Sequence, residues 1–399
     1  MHDSTNPRRS VTTSPVLGRA KVLVLFGTRP EAIKLAPVIH ELREQNFNTL
    51  VVSSSQHKQL LTPFLRSLDI RVDRDLGVMK KDQTPNDVCS RVVAKLDKIL
   101  TVECPDLILV QGDTTTALAG ALAGFNRKVA VGHVEAGLRS GDLMSPFPEE
   151  MNRRLISQMA TFHFAATERN RRLLLSENVP DTSIFVTGNP VVDSLKGMLK
   201  RLEPTAKIQR LIDATSNKKR LLLTTHRRES FGTAMTANLK VLRSFVESHK
   251  DVCLLFPVHP NPNVRGLAKE ILGDAENIHL LDPLDYSDFL AVQKASWLIV
   301  SDSGGVQEEA PSLGKPLLVI RENTERPEAI DAGVSKLVGT SPTKLRLLLE
   351  ENYANDTWTN SVKEIANPFG DGRAAERIVN VISDKFANVQ RQAATLLAA

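Results

Sequence analysis

The chain has 399 residues, of which 41% are hydrophobic and 24% charged, and its formal net charge is +5. This length and apolar content are typical of two globular domains, or three, and exclude a chain that is disordered throughout. The longest apolar run, residues 117–125, is too short to span a membrane, and no Lys/Arg run resembles a nucleic-acid-binding tail. Three cysteines without CxxC spacing argue against a disulfide framework or a zinc site and favour a reducing cytoplasm.

The chain begins with a polar segment and then changes abruptly. Residues 1–19 lack apolar periodicity, so we interpret them as a flexible extension; a transit peptide is the weaker alternative, because the segment is short and carries Asp3. From Lys21 onward, short apolar runs alternate with helical segments such as PEAIKLAPVIHELRE. This alternation predicts parallel strands covered by helices on both faces. The strands predicted in the first half are KVLVLFG, TLVVSSS, DLILVQG, KVAVGHV, FHFAAT and IFVTGN.

A polar segment, residues 202–219, interrupts the alternation, which restarts with RLLLTTH, VCLLFPVH, NIHLLD, SWLIVSDSG and KPLLVI. We therefore predict an α/β fold of two Rossmann-like, doubly wound parallel-sheet domains with a cleft between them. A final helix, predicted from Gly372 to about Ala387, is expected to pack back onto the first domain. The predicted boundaries are 1–19 for the extension, 20–199 and 200–371 for the two domains, and 372–399 for the last helix and tail.

Ligands of open α/β sheets bind beyond the carboxyl ends of the strands, so the loops at those ends are the candidate sites. In the first loop, GTRPEAIK, Gly27 permits a tight turn and Pro30 suits the first helical position. Arg29 and Lys34 beside a helix N-terminus favour an anion such as phosphate. For Lys34, a salt bridge to Glu31 or to a neighbouring helix is an equal alternative. GxGxxG and GxxxxGK[ST] are both absent, which argues against a nicotinamide or P-loop site.

Acidic residues mark three further loops of the first half. Asp113, in GDTTT, is either a catalytic group or a cap of the following Ala-rich helix. Glu135, in GHVEAGLRSGD, favours a functional role over a pairing with Arg139, four residues further on. Glu149 opens a helix, where an acid ordinarily complements the helix dipole, so a catalytic role for it needs other support.

Two histidines follow predicted strands of the second half. His226 lies beside two arginines, a combination that can hold a diphosphate and donate a proton or hydrogen bond to it. His259, in PVHPNP, is explained at least as well as a stacked loop residue.

The strongest local signal is the segment SDSGGVQEE, residues 301–309. A strand end, a hydroxyl, paired glycines and a helix start together predict a cradle of backbone N–H groups for an anion. Glu309 lies about one helical turn after Gly305, where its carboxylate could accept ribose hydroxyls, and Arg326 offers a further positive contact.

Together these loops resemble one family, the non-hydrolysing UDP-N-acetylglucosamine 2-epimerases. Nine strings carry the resemblance, in the family's order, over about residues 21–384: FGTRPEAIKLAP, QGDTTTALA, GHVEAGLRSGD, SPFPEEMNRR, THRRESFG, FPVHPNPNVR, SDSGGVQEEAPSLGKP, ERPEA and NPFGDG. The resemblance implies a GT-B-like pair of Rossmann-type domains, usually a homodimer, that interconverts UDP-N-acetylglucosamine (UDP-GlcNAc) and UDP-N-acetylmannosamine (UDP-ManNAc). It also implies a cytoplasmic protein with no cofactor and no nucleic-acid or membrane partner.

The family's residue roles, carried onto this chain, assign catalysis to Asp113, Glu135, Glu149 and His226. A second UDP-GlcNAc pocket, allosteric in many members, is matched by Gln56, Gln59 and His259, but Asp82 stands where some activated members carry Arg, so activation is left open. Phe289 is either a contact for the uracil or an ordinary core residue of a helix. The implied UDP-binding residues are Arg29, Lys34, His226, Phe289, Ser303, Gly304, Gly305, Glu309 and Arg326.

The chemistry of the reaction makes this residue set sensible. No carbonyl neighbours the C2 proton of the sugar, so its direct abstraction is difficult, whereas expulsion of UDP from C1 makes that proton more acidic. Elimination to 2-acetamidoglucal and re-addition of UDP inverts C2 if the proton returns on the opposite face. The reaction therefore requires carboxylates on both faces of the sugar and cations near the departing UDP. Because the cationic motifs come from both halves, we expect the domains to close, with hinges near residues 190–200 and 370.

Three alternatives remain at this stage. A GT-B glycosyltransferase would share the fold and the nucleotide end but needs an acceptor groove and usually one base. A hydrolysing epimerase would release ManNAc and UDP irreversibly. A catalytically silent UDP-sugar sensor would bind tightly without turnover.

Overall fold

The computed structural model describes residues 20–56, 64–225 and 233–398, with side chains described to residue 387. The first half of the chain forms strands and helices in alternation. Its strands are β1 Lys21–Phe26, β2 Asn48–Ser53, β3 Arg74–Asp75, β4 Leu107–Gln111, β5 Ala130–Ala136, β6 Phe162–Ala165 and β7 Ile184–Val186. Its helices are α1 Arg29–Glu44, α2 Pro85–Glu103, α3 Thr115–Asn126, α4 Glu149–Met159, α5 Glu168–Ser176 and α6 Pro190–Lys200.

The second half repeats the pattern. Its strands are β8 Lys219–Thr224, β9 Val252–Pro257, β10 Ile278–Leu281, β11 Leu298–Ser301, β12 Leu317–Val319 and β13 Ser335–Leu337. Its helices are α7 Ala206–Ala214, α8 Thr233–Ser248, α9 Pro262–Leu272, α10 Tyr286–Ala295, α11 Gly304–Glu309, α12 Glu328–Asp331, α13 Pro342–Ala354, α14 Thr357–Ser361 and α15 Ala374–Ala398.

Two parallel sheets result, in the order β3-β2-β1-β4-β5-β6-β7 and β10-β9-β8-β11-β12-β13. Each order reverses direction between two central strands, β1 and β4 in one sheet and β8 and β11 in the other. The carboxyl ends of such a strand pair open into the crevice where doubly wound sheets bind ligands. The predicted pair of parallel α/β units is therefore confirmed. The edge strands β3 and β13 were not predicted, because two and three residues are too few to show a periodicity.

The strands are apolar because helices cover both faces of each sheet. Strand β4, LILVQ, is buried at every position, and strand β9 is buried at all but its last. The helix α15 packs against α1 and α6, and its residues Ile378, Val379 and Ile382 join the core of the first sheet. The last helix of the chain therefore packs against the first half.

The start of α15 differs from the prediction for a physical reason. The carboxylate of Asp193, on α6, accepts the backbone N–H groups of Ala374 at 3.2 Å and Ala375 at 2.9 Å. The helix therefore begins at Ala374 rather than Gly372, because Asp193 satisfies N–H groups that a helix terminus leaves without partners. It also continues to Ala398 rather than ending near Ala387.

The predicted extension, residues 1–19, lies outside the described residues. In the part of the chain that the structure covers, none of the helices has the length and apolar character needed to cross a membrane.

Candidate functional site

The loop after β1 is held by an internal carboxylate. Glu31 accepts hydrogen bonds from the backbone N–H of Gly27 at 3.0 Å and from the backbone N–H and hydroxyl of Thr28 at 2.8 and 2.7 Å. Thr28 caps α1, which begins at Arg29, so Pro30 takes the second helical position rather than the first. The loop is thereby fixed at the carboxyl edge of the first sheet.

Gly27 is required by packing rather than by a turn. A Cβ at this position would overlap Ser54 Oγ and would lie 2.5 Å from Thr116 Oγ1. The backbone of the loop can therefore lie against β2 and α3 only because residue 27 has no side chain.

The two cations of this loop have different environments. Arg29 is exposed, and its guanidinium lies 5.5 Å from the centre of the Phe64 ring. Lys34 is buried, and its Nζ lies 2.6 and 2.7 Å from the two carboxylate oxygens of Glu135 and 3.0 Å from Oε2 of Glu308. Although burial alone lowers the pKa of Lys34, the two carboxylates raise it above its ordinary value. The predicted salt bridge from Lys34 to Glu31 is wrong, because Lys34 is paired with these two acids instead. The other predicted alternative, a salt bridge to a neighbouring helix, is confirmed, because Glu308 lies on α11.

Glu135 lies at a backbone irregularity near the end of β5. Its φ is +65°, in the left-handed region, and the pairing register with β6 shifts between Val134 and Ala136. Such a conformation is strained for a residue with a side chain and is common at functional sites. The carboxylate also accepts hydrogen bonds from the amides of Gln111 and Asn189. Burial raises the pKa of Glu135 to about 7, against the opposing charge of nearby Lys34.

The alternative partner of Glu135 is excluded. The guanidinium of Arg139 binds the carboxylate of Glu177 instead, at 2.8 and 2.6 Å. Glu135 is therefore free of the local i,i+4 pairing that its sequence position allows.

Asp113 does not cap the Ala-rich helix α3. The cap is the next residue, Thr114, whose hydroxyl accepts the backbone N–H of Ala117 at 3.0 Å. The carboxylate of Asp113 instead binds Arg153 of α4, with Oδ2 lying 2.9 Å from Nε and 2.6 Å from Nη2. The structural alternative for Asp113 is therefore wrong, and its side chain belongs to an ionic network.

The first turn of α4 carries two adjacent acids with different surroundings. Glu149, the predicted catalytic residue, is partly exposed at the start of the helix. Glu150 is fully buried, lies 3.0 Å from Arg153 Nη1 and accepts the backbone N–H of Ser140 at 2.9 Å. The helix therefore presents charged residues both to the protein interior and towards the surface.

Arg326 of the second half completes the network. Its Nε lies 2.5 Å from Glu308 Oε1, its Nη1 lies 2.6 Å from Glu325 Oε1 and its Nη2 lies 3.4 Å from Glu135 Oε1. Glu325 Oε1 also lies 3.8 Å from Arg153 Nη2. A continuous chain of charges, buried except at the half-buried Asp113, thus runs from Asp113 to Lys34 through both halves of the protein.

The sequence predicted four of these residues as site residues but did not predict their partners. Asp113, Glu135, Lys34 and Arg326 were predicted as site residues, and all four belong to this network. The partners Glu308, Glu325, Arg153 and Arg321 were not predicted; Arg321 binds Glu325 at 2.8 Å. The one available signal was their position inside motif strings, which does not reveal which way a side chain points.

The segment that the sequence predicts to bind the nucleotide begins at Ser303, which precedes the short helix α11. The backbone N–H of Ser303 donates a hydrogen bond to Ser301 Oγ at 2.9 Å. A Cβ at Gly304 would lie 2.5 Å from Arg326 Nη1, so this glycine makes room for the guanidinium. A Cβ at Gly305 would lie in open space, because its nearest neighbour would be Ser303 Oγ at 3.9 Å.

Glu309 is buried behind this segment. Its carboxylate accepts hydrogen bonds from the hydroxyl of Tyr286 at 2.7 Å and from the amide of Gln293 at 2.9 Å, two partners on α10 that sequence reasoning missed. Burial raises the pKa of Glu309, and these two hydrogen bonds oppose the rise. Phe289, on the same helix, packs partly buried against the core of the second sheet. The predicted contacts of Glu309 and Phe289 with a nucleotide stay predictions.

Residues predicted for a second sugar-nucleotide pocket come from both halves. Gln56, just after β2, accepts a hydrogen bond from the hydroxyl of Thr116 at 2.7 Å. His259, beyond β9, is exposed and its Nδ1 accepts the backbone N–H of Asn261 at 3.2 Å. Gln59 and the predicted catalytic His226 lie outside the described residues.

A cavity of about 200 Å³ adjoins the ionic network. It is lined by Ser140 and Ser145 of the first half and by Arg321, Asn323 and Glu325 of the second. Within the described ranges, no group of three or more His, Cys, Asp or Glu side chains is arranged to hold a metal ion.

Comparison with known proteins gives consistent results. Residues 40–383 match the family model described as UDP-N-acetylglucosamine 2-epimerase. The UDP-N-acetylglucosamine 2-epimerase of Yersinia pestis is 45% identical over 370 residues, which cover 91% of this chain and 98% of that protein. The crystal structure of the Neisseria meningitidis UDP-GlcNAc 2-epimerase bound to UDP-GlcNAc is 40% identical, with a TM-score of 0.86 and coverage of 91% of this chain and 99% of that one. The predicted fold class, two Rossmann-like parallel-sheet units in a GT-B-like arrangement, is confirmed.

Proposed function

Because the chain belongs to the UDP-N-acetylglucosamine 2-epimerase family of enzymes, we propose that it inverts C2 of UDP-GlcNAc reversibly, by eliminating UDP and adding it back. The product is UDP-ManNAc and the intermediate is 2-acetamidoglucal. The structure of the Neisseria relative with UDP-GlcNAc bound supports this substrate.

The proposed reaction has two mirrored stages. In the first, the C1–O bond breaks and its electron pair leaves with UDP, while the C2 proton passes to a carboxylate and the C–H electrons form the C1=C2 bond. In the second, the diphosphate oxygen attacks C1 and a proton returns to the opposite face of C2. Each stage requires a proton-transfer group and stabilisation of the charge on the diphosphate.

The observation that carries the proposal is the convergence of acids and cations on one crevice. Glu135 lies near the end of β5 and Asp113 just beyond the end of the neighbouring β4, and each is bound by a buried cation, Lys34 and Arg153 respectively. Arg326 approaches Glu135 from the second half at 3.4 Å. A sugar nucleotide in this crevice would have both carboxylates and cations within reach.

The environment of Glu135 suits a proton-transfer role. Burial raises its pKa to about 7, so both its protonated and its ionised form are accessible near neutral pH. Lys34 Nζ, 2.6 Å away, stabilises the ionised form. Glu149, which is partly exposed, is assigned with Asp113 and Glu135 to acid–base work, and His226 to the departing UDP.

The UDP is assigned to the residues predicted from the sequence. Arg29, Lys34 and Arg326 supply positive charge, Ser303, Gly304 and Gly305 approach the phosphates, and Glu309 and Phe289 lie towards the nucleoside. The open position at Gly305, with no neighbour closer than 3.9 Å, supports a close approach of the diphosphate there. The domain boundaries and closure at the two hinges belong to the same proposal, as do a homodimeric assembly and a cytoplasmic location.

Product analysis tests the proposal. Purified protein is incubated separately with UDP-GlcNAc and with UDP-ManNAc, and the nucleotides are separated by chromatography. We expect both reactions to reach the same mixture of the two sugar nucleotides, and Glu135→Gln to abolish the conversion. Stoichiometric free UDP would identify a hydrolysing enzyme, transfer to an added acceptor a glycosyltransferase, and binding without turnover a sensor; each outcome would overturn the proposal.

A further inference from the structure

Two cations and two carboxylates, one of each from either half of the chain, meet at a single point. Lys34 and Glu135 belong to the first half, and Arg326 and Glu308 to the second. Lys34 Nζ lies 2.6 Å from Glu135 and 3.0 Å from Glu308, while Arg326 lies 2.5 Å from Glu308 and 3.4 Å from Glu135. Each cation therefore contacts both carboxylates. We call these four residues the ionic square.

The ionic square is removed from solvent, so its charges must balance. The side chains of Lys34, Glu135, Glu308 and Arg326 are 8%, 3%, 1% and 9% exposed. A buried charge is costly unless it is paired and hydrogen-bonded, and two positive and two negative groups satisfy that requirement. Glu308 is the most buried of the four, and it is the one to which the proposed reaction gives no part.

Glu308 is itself fixed in position. It lies on α11, and its backbone carbonyl accepts a hydrogen bond from the side-chain amide of Asn367 at 2.9 Å. Glu308 is therefore anchored through its backbone as well as through its carboxylate. Among the described acids, Glu135 and Glu308 alone are in ion pairs with both Lys34 and Arg326.

We propose that Glu308 is a positioning residue for the epimerisation, which places a second negative charge beside Glu135, shares the ammonium of Lys34 and the guanidinium of Arg326 with it, and so sets how readily Glu135 exchanges a proton. This inference rests on the proposed function. Glu308 does not contact the sugar in this account and acts only through the other three members of the ionic square.

The direction of its effect follows from the groups around Glu135. These are Lys34 from α1, Gln111 from β4, Asn189 at the start of α6, and Glu308 and Arg326 from the second half. The negative charge of Glu308 raises the pKa of Glu135, whereas the positive charges of Lys34 and Arg326 lower it. Removing that charge therefore lowers the pKa of Glu135 from about 7.

The test is the pH dependence of kcat and kcat/KM for conversion of UDP-GlcNAc. In Glu308→Gln, which keeps the side-chain volume and loses the charge, we expect the titration near pH 7 to move down by about one pH unit. In Glu308→Asp, which keeps the charge one methylene further from its partners, we expect a smaller shift in the same direction. This second variant also decides the question if Glu308→Gln does not fold.

A matched control separates this effect from a general loosening of the two halves. Glu328 accepts a hydrogen bond from the hydroxyl of Thr167 at 2.7 Å across the same two halves, and no hydrogen bond or ion pair joins it to Lys34 or Arg326 among the described contacts. We expect the pH profile of kcat/KM for Glu328→Gln to keep the wild-type midpoint.

Midpoints that stay unmoved in both Glu308 variants, even with a lower kcat, would show a merely structural role, and midpoints that rise would contradict the predicted sign; either result would overturn the inference. A wild-type protein that makes no UDP-ManNAc would instead overturn the proposed function itself. The two failures are therefore distinguishable.

Discussion

The guanidinium of Arg153 binds the carboxylate of Asp113, 40 residues earlier in the chain, with Nε at 2.9 Å and Nη2 at 2.6 Å from the same oxygen. This pair joins the loop after β4 to the helix α4. Arg153 also holds the fully buried Glu150 at 3.0 Å. One arginine therefore orients a predicted catalytic acid and neutralises a second acid that has no access to solvent.

Replacing Arg153 by Met should impair both stability and catalysis. Loss of one partner of a buried ion pair costs about 3–5 kcal/mol, here because Glu150 keeps its charge without its closest cation. The released Asp113 should lower kcat about 100-fold, since small displacements of catalytic groups have effects of that size. Urea unfolding and steady-state kinetics measure the two effects. Arg154→Met is the control, because Arg154 is 40% exposed and lies 3.5 Å from Glu150; it should cost less than about 1 kcal/mol. Equal effects of the two variants would refute this role of Arg153.

Replacing Lys34 by Met should shift the pH profile in the opposite direction to Glu308→Gln. The ammonium lies 2.6 Å from Glu135 and opposes the effect of burial, so without it the pKa of Glu135 rises further above 7. The loss of this charge at the diphosphate should also lower kcat/KM by about 100- to 1,000-fold. The measurement is kcat/KM between pH 6 and 9, with the exposed Lys98→Met as control. A Lys34 variant with the wild-type profile would disprove the assignment.

Glu31 should make folding stability depend on pH. Burial raises its pKa from 4.5 to about 7, so the folded protein retains a proton that the unfolded chain releases above about pH 4.5. The free energy of unfolding contributed by Glu31 is therefore complete below pH 4.5 and is lost as the pH rises through 7. In Glu31→Gln, the difference in unfolding free energy between pH 5 and pH 8 should shrink by about 2–3 kcal/mol.

Urea titrations at a series of pH values provide that measurement. Glu44→Gln, an exposed substitution on the same helix, is the control and should retain the wild-type dependence. If Glu31→Gln retained it as well, the carboxylate would be ionised in the folded state at all these pH values, against the prediction.

The adjacent glycines of α11 should respond differently to alanine. A Cβ at Gly304 meets Arg326 Nη1 at 2.5 Å, so Gly304→Ala should displace that guanidinium from Glu308 and weaken both UDP binding and turnover. A Cβ at Gly305 meets nothing within 3.9 Å, so Gly305→Ala should leave the free energy of unfolding within about 1 kcal/mol or raise it slightly. Calorimetric titration with UDP should still show weaker binding to Gly305→Ala, because the diphosphate is assigned to that open face. Undiminished UDP affinity in both variants would count against the assignment of this segment.

The sequence was sufficient to predict which loops carry the candidate site, but not how the side chains there pair. Asp113 and Glu135 could be predicted because parallel strands end at one edge of a sheet, which brings the following residues together. Glu308 and Glu309 could not be distinguished, since neighbouring positions on a helix point about 100° apart and the sequence does not show which faces the crevice. In the structure, Glu308 faces Lys34 and Arg326, whereas Glu309 faces Tyr286.

The central claim is that the C2 proton leaves the sugar and another returns. The most direct measurement is incubation of the protein with UDP-GlcNAc in D₂O, followed by NMR of the C2 position in both sugar nucleotides. We predict deuterium at C2 of the UDP-ManNAc that forms, and with time at C2 of UDP-GlcNAc as well. UDP-ManNAc that retained its original proton, or a folded and saturated protein that produced neither deuterium at C2 nor the manno isomer, would contradict the account.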